Sequence, residues 1–571
     1  MNLSEVKKAQ LANRKYKQET DNYGNEAMNI SMRKWCVVGG RGGALLLVMG
    51  LSFMGVVSRL QAQVYTGTWD GGGADNSWTT GANWAGDVAP TSSTTTSVTL
   101  NGVTRLTPDI ASDYSINYMT FDYAAGAFTL GGSGVINLNG ANNYTMYIKN
   151  RSSNTQTINN NIFLNTASGI GIDYATGAAS HLVINGNIAT NAKSVGLINN
   201  STGSTLTVNG VISGSGQVYY YGNNSGGTVV ANGLNSYSGG TYILGGTALI
   251  NQNVSASGNG AFGTGTVQLG SNANSSYKLL TSGNVTMGKA ITIASTTGAN
   301  NNQAFIGGAT SDSSTYSGII NMGSASGAAN ALTISSVTGG RVNVTGNLSR
   351  NTGATGTADN LTKVGTGTVV LGGSNNNYAG NTQVSAGTLL VNGSIANTST
   401  TSVGVVTVGD SAAPATLATL GGAGTINRSI SVLDNGIVSA GDMNLAGNSL
   451  TGTLSVVGDF SLASASLLKF DLGTAKDRIA ITGNLLLDGV LDVTAGTGFG
   501  EGTYTLFTYT GSLTDNTLSL GNMPTGLYTY SIDTTTTGIV ALNVVPEPGT
   551  LALAILGAML LLGKRRQSSK E

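Results

Sequence analysis

From about residue 63 to residue 544 the apolar positions come in short runs closed by turn residues. Gly367 to Leu371 (GTVVL) and Gly387 to Val391 (GTLLV) show the pattern most clearly. Gly134 to Asn139, Ile158 to Leu164, His181 to Ile188 and Ser204 to Ile212 carry it more loosely. Short β-branched or aliphatic runs bounded by Asn-Gly and Gly-Gly predict strands, and turns every eight to twelve residues or so predict an all-β fold. A hairpin sandwich has the same spacing, so a longer period has to decide. Two segments supply it, Gly226 to Asn251 and Gly365 to Gly393. Both run Gly-Thr-Val-Val, a Gly and Asn turn, Tyr-x-Gly, a Thr with short β runs, then Gly-Thr-x-Leu. Such a period, with Asn and Gly at the turns, predicts a right-handed parallel β-helix, a solenoid in which each rung pairs with the next. Gly supplies positive φ at the corners, and Asn side chains stack into ladders there. With rungs of about 20 to 25 residues, the body would hold roughly 20 of them.

This plan resembles the autotransporter-associated β-strand repeat of bacterial passenger domains, a family of parallel β-helices. The resemblance implies a β-helix over 101–420, including the repeats at 226–251 and 365–393. The segment between Leu420 and Leu487 is similar to the one that follows the last repeat in such proteins, so 421–544 is expected to continue the helix and cap it. A solenoid needs both ends covered, because an open rung offers unpaired backbone to other chains. Residues 63–100 hold Trp69, Trp78 and Trp84 and resemble the opening module of these proteins. They predict a hydrophobic cap; exposed indoles would instead offer a stacking surface for carbohydrate.

The two ends read differently. Residues 1–62 form a polar, charged leader, then Arg33 and Lys34, then an apolar run from about Ala44 to Val57. This is the order of a signal peptide with a long n-region, with cleavage expected after Ala62. Residues 545–571 carry the triplet Pro546, Glu547, Pro548, an apolar segment 551–563 expected to be one short membrane helix, and the basic cluster Lys564, Arg565, Arg566. That order closely resembles the PEP-CTERM sorting signal of Gram-negative, exopolysaccharide-producing bacteria. The resemblance implies an exosortase-like processing enzyme as partner and an inner-membrane stay with the basic end in the cytoplasm. Thirteen helical residues span about 20 Å, short of a hydrocarbon core of roughly 30 Å, which favours transient retention over permanent anchoring.

Composition narrows the function classes. With 85 Gly but only 6 Pro the chain is not collagen-like, and 40% hydrophobic residues with 9% charged ones is not the composition of disorder. The formal net charge is zero, but between Gln63 and Val545 there are 13 Lys and Arg against 20 Asp and Glu, a net of −7. An acidic, sparsely charged body has no basic stripe for phosphates, so nucleic acid is not an expected partner. The single cysteine, Cys36, lies in the leader, which excludes a disulfide in the processed chain and argues against a lipoprotein.

Catalytic chemistry is poorly provided for. Glu501 is the only glutamate between the leader and the sorting motif, whereas a glycosidase needs two paired carboxylates. Asp471, Asp477, Asp488 and Asp492, beside Lys469, Lys476 and Arg478, read as a solvated face. His181, the only histidine, reads as a strand or turn residue, and without histidine pairs or cysteines no metal site is expected. Gly71 to Asn76 occurs once and lacks the period of calcium-binding glycine repeats. No catalytic residue, metal or cofactor is therefore assigned. The expected function is that of an exported, non-enzymatic surface or extracellular-matrix protein, structural or adhesive and associated with exopolysaccharide in a biofilm. The alternatives are a β-helix lyase or hydrolase acting on polysaccharide, and a carbohydrate-binding surface protein.

Overall fold

The structure, a computed structural model, describes residues 66–173, 179–222, 226–270, 276–294, 302–323, 330–350, 359–396, 404–413, 415–443, 449–526, 528–547, 549 and 555–561. The chain divides at Gln61 and Ala62 into two units, and all the described residues belong to the second. That unit is an all-β, right-handed parallel β-helix. The expected signal segment with its expected cleavage position at Ala62, Pro548 and the cluster Lys564, Arg565 and Arg566 lie outside the described residues.

Most rungs contribute one strand to each of three stacked sheets. The longest sheet has 16 strands, from Thr129–Leu130 to Leu513–Asp515. Beside it runs a 12-stranded sheet from Thr66–Trp69 to Leu348–Ser349, and later a 10-stranded sheet from Thr286–Met287 to Ser519–Leu520. Sheets of five and seven strands complete the third side at the two ends of the coil. Pairing is parallel and in register, as in Leu182 beside Leu206 and Leu206 beside Val229. Inward positions alternate with outward ones, so Leu182, Ile184, Leu206 and Val208 are buried while their neighbours are partly exposed. Each such aliphatic side chain contributes about 1.5–3 kcal/mol of burial.

The rungs are less regular than expected. Thr228, Thr247 and Lys278 are successive neighbours in one column, so adjacent rungs take 19 and then 31 residues. Longer rungs mean fewer of them, which is why the longest sheet stops at 16 strands. The extra residues of the longer rung lie at its corners: among the described residues Gly246–Ile250 is followed by one further strand, Val267–Leu269, before Ser276–Thr281.

The two sequence repeats fold alike. In the first, buried Tyr237 bonds Thr241 Oγ1 at 2.6 Å, and Asn235 Oδ1 accepts from the Ile212 amide at 2.7 Å. In the second, buried Tyr378 bonds Thr382 Oγ1 at 2.5 Å, and Asn376 Oδ1 accepts from the Leu348 amide at 2.9 Å. The Asn-x-Tyr-x-x-x-Thr spacing is thus a corner device: Asn ties one rung to the rung before it, and Tyr fills the interior with its hydroxyl satisfied. At another corner Asn232, Asn209, Asn185 and Asn159 form a ladder, each donating its amide to the one before at 2.6, 2.8 and 2.8 Å.

The N-terminal tryptophans pack together. Trp78 lies edge-on to Trp84 at 4.7 Å and stacks on Trp69 at 5.8 Å. All three are at most 2% exposed, which removes the reading of exposed, sugar-stacking indoles. At the other end the parallel order stops: Ile539–Pro546 pairs antiparallel with both Gly502–Tyr509 and Tyr528–Asp533.

Candidate functional site on the outer face of the solenoid

Residues singled out by chemistry in the sequence do not converge. His181 starts the strand His181–Ile184 beside Thr205, with its carbonyl accepting from Asn150. Asp477 is fully buried, not part of a solvated face. Its carboxylate accepts from the amides of Gly452 at 2.8 Å and Asp471 at 2.9 Å. Burial pushes it up to about 6, but a carboxyl closed off from solvent and spent on backbone amides has no access to a polymer. Asp488 accepts from the Gly489 amide, and Asp492 from the amide and side chain of Asn522. Asp492 and Asp434 flank a shallow groove of about 370 Å³ floored by Ile437, Leu467 and Val490. Asp75 is an organiser of the N-terminal cap, accepting from Ser77, Thr80 and Asn83. Those bonds hold its carboxyl below its ordinary value. Among the described residues no three His, Cys, Asp or Glu gather as metal ligands.

The triplet that opens with Pro546 starts where the last described strand stops. Pro546 is the last residue of the final strand and lies opposite Tyr528. Beyond it, residues 555–561 are helical, with Ile555, Leu556, Met559, Leu560 and Leu561 exposed. No helix among the described residues is long and apolar enough to cross a membrane.

A cluster that sequence reasoning passed over stands out on the 12-stranded sheet. The strand Val218–Tyr221 reads VYYY; alternation turns Tyr220 into the core and Tyr219 and Tyr221 outward. Tyr219 and Tyr221 lie parallel at 5.7 Å, and Tyr242, one rung on, stacks on Tyr219 at 5.0 Å. Gln217 joins them, accepting from the Tyr219 hydroxyl at 2.6 Å and donating to the Tyr242 hydroxyl at 3.2 Å. A fourth ring comes from far away in sequence: Tyr144, 66% exposed, lies 5.0 Å from Tyr221.

Space explains how Tyr144 arrives there. Its loop turns on Asn142, whose Oδ1 accepts from the amides of Tyr144 and Thr145. The loop then lies on strands that present glycine outward. A Cβ at Gly196 would stand 1.9 Å from the Asn143 carbonyl, and one at Gly169 would stand 2.4 Å from the Thr145 carbonyl. Asn143 fastens the loop by donating to the Tyr221 hydroxyl at 3.2 Å. Burial, with neighbouring tyrosines, holds the hydroxyls of Tyr219 and Tyr221 above their ordinary range, so the platform stays uncharged. The sequence signal was available: paired outward tyrosines in one strand, Gly where a neighbouring strand should carry a side chain, and no charge but Lys193 between Asp173 and Lys278, His181 aside.

A three-sided coil carrying corner ladders and an aromatic outer patch defines a repeat-built parallel β-solenoid. Comparison with known proteins agrees with that class. Residues 361–391 match the passenger-associated-transport-repeat family, and they include the second Asn-x-Tyr corner. The chain is also similar to the adhesin BmaC autotransporter of Brucella suis biovar 1 (strain 1330), 48% identical over 75 residues. The matched stretch is 12% of this chain and 2% of that protein.

Proposed function

We propose that this chain is an exported, non-enzymatic protein of the Gram-negative bacterial surface or extracellular matrix, structural or adhesive and held among exopolysaccharides. The observation that carries the reading is the Asn-x-Tyr-x-x-x-Thr corner, built alike at Asn235 and Asn376, the latter within the match to passenger-associated repeats. That the similar BmaC protein is an adhesin autotransporter supports an adhesive role. In this reading the leader is removed after Ala62. The tail is held briefly in the inner membrane with Lys564, Arg565 and Arg566 on the cytoplasmic side, and an exosortase-like enzyme processes it at Pro546, Glu547 and Pro548. A motif placed at the end of the last described strand supports this order, because processing beyond Pro546 spares every strand among the described residues.

The mass of the protein recovered from the outer surface or medium of its native host tests the reading. Loss of both the leader near Ala62 and the tail beyond Pro546 is the expected result. An intact tail found in the inner membrane would contradict sorting, and turnover of polysaccharide by the purified protein would contradict the non-enzymatic role.

A further inference from the structure

We propose that the tyrosine platform formed by Tyr144, Tyr219, Tyr221 and Tyr242 is a binding site for an uncharged polysaccharide chain. The proposal deepens the surface reading above and rests on it for contact with polymer.

The geometry supplies both halves of sugar recognition. A hexose ring in its chair form presents a face of C–H bonds and a rim of hydroxyls. It therefore suits a surface that places an aromatic face beside hydrogen-bonding groups. Tyr144 offers such a ring, two-thirds exposed and held on a loop that Asn142 and Asn143 fix in place. Beside it, the hydroxyls and amides of Tyr219, Gln217 and Tyr242 form a connected polar row. Tyrosine also loses little conformational entropy on binding, because only two side-chain torsions must be fixed.

Charge selects among polymers. Across residues 174–277, which carry three of the four rings, the only formal charge is Lys193; on the side of Tyr144 the nearest cations in sequence are Lys149 and Arg151, the latter paired with Asp173. Neutral chains meet no repulsion there, whereas phosphate- or uronate-bearing chains find no row of cations to repay the loss of their hydration. The platform also follows the solenoid axis, since Tyr242 and Tyr219 are in register on adjacent rungs. It thus presents an extended track, suited to several residues of a chain and not to a single terminal sugar. A second copy of the protein, the rival occupant of an aromatic surface, is separated by the test below.

The full chain, purified in mild detergent, would be run in native gels containing dextran, a soluble β-glucan or galactomannan, and in parallel gels containing alginate or polygalacturonate. Retardation by at least one neutral polymer and by neither anionic one is expected. Tyr144→Ala should weaken that retardation about tenfold, and Tyr144→Phe should largely restore it, because the ring face and not the hydroxyl carries the contact. Tyr144 is exposed, so its variants should keep the circular dichroism and melting temperature of the parent; Tyr242→Ser, on the next rung, provides a second and independent loss. Several results would overturn the proposal: no retardation by the neutral polymers, equal retardation of the parent, Tyr144→Ala and Tyr242→Ser, or preference for the anionic ones. So would a concentration-dependent dimer by sedimentation that Tyr144→Ala abolishes. Cell fractionation reads the surface assignment separately: protein that stays in the cytoplasm would sink that assignment while leaving the gel result standing.

Discussion

The Arg428 guanidinium lies over the ring of Tyr378, 4.4 Å from its centre, and donates to the carbonyls of Tyr378 and Gly380 from a later rung of the coil. Both residues are at most 2% exposed. Gly404, on the rung between, opens the way, since a Cβ there would stand 2.1 Å from the Gly380 carbonyl and 2.9 Å from Arg428 Nη1. One side chain thus ties three rungs together. Arg428→Ala removes two charge-assisted bonds and leaves a void, so it should cost about 3 kcal/mol. Gly404→Ala should cost a similar amount by blocking the same contact. Urea unfolding followed by circular dichroism checks both, and an unchanged midpoint in either variant would contradict this account.

The asparagines divide by exposure. Asn235 is buried, accepts from the Ile212 amide and donates to the Ala261 carbonyl at 2.7 Å. Asn209 belongs to the exposed ladder between Asn185 and Asn232. Asn235→Ala strands two buried backbone groups and should cost about 2–3 kcal/mol; Asn209→Ala, whose neighbours can turn to water, should cost about 0.5–1 kcal/mol. Equal losses in thermal unfolding would mean that burial does not set the worth of these amides.

Strand runs and turn chemistry were legible because both act locally: β-branched residues at alternate positions, and Gly or Asn where the chain must turn. Rung length was not, since a corner insertion such as Gly140 to Thr145 has the same Gly, Asn and Thr texture as the rungs it interrupts. Charge misled most. Asp477 reads as part of a solvated face, yet it is buried, as Lys363 and Arg428 are, and each of the three bonds at least one backbone group of another rung that its own segment does not reveal. The platform was missed for the same reason, because Tyr144 and Tyr221 are 77 residues apart and meet only through the coil.

Buried charges give the body an unusual pH profile. Lys363 stands in the interior column between Ile334 and Val384, where aliphatic residues otherwise sit. Its Nζ donates to the carbonyls of Val364, Gly365 and Ala386 at 2.7–3.0 Å. Burial pushes it down to about 7 from an ordinary 10.5. Between those values the unfolded chain binds the extra proton, so stability should rise with pH, by about 5 kcal/mol in total. Asp359 and Asp477 behave oppositely: burial raises each to about 6 from 3.8, the folded chain holds the extra proton, and stability should fall as pH rises through that window. The melting temperature should therefore pass through a minimum between about pH 6 and 7. The gain on the alkaline side ends near pH 10, where tyrosines ionise in the unfolded chain but buried Tyr237 and Tyr316, pushed well above that value, do not. Lys363→Met should flatten the alkaline limb and leave the acid limb in place; a monotonic profile in the parent would contradict the assignment.

The closing strand sets where the chain can be cut. Ile539–Pro546 pairs on one side with Gly502–Tyr509 and on the other with Tyr528–Asp533, burying Val540, Leu542 and Val544. The last pair in that ladder joins Pro546 to Tyr528, and among the described residues none beyond Glu547 contributes a rung or a partner strand. A chain ending at Glu547 should melt within about 1 °C of the full chain, as expected when no buried or paired group is lost. A chain ending at Gly538 loses the central strand of the cap. It exposes Leu506 and Phe507, both fully buried in the intact protein, along with two unpaired strand edges, the condition under which β-proteins aggregate. Light scattering of the two truncations during refolding separates these outcomes. Aggregation of the longer one would place part of the folded body in the tail itself, and a soluble shorter one would show that the antiparallel cap is dispensable.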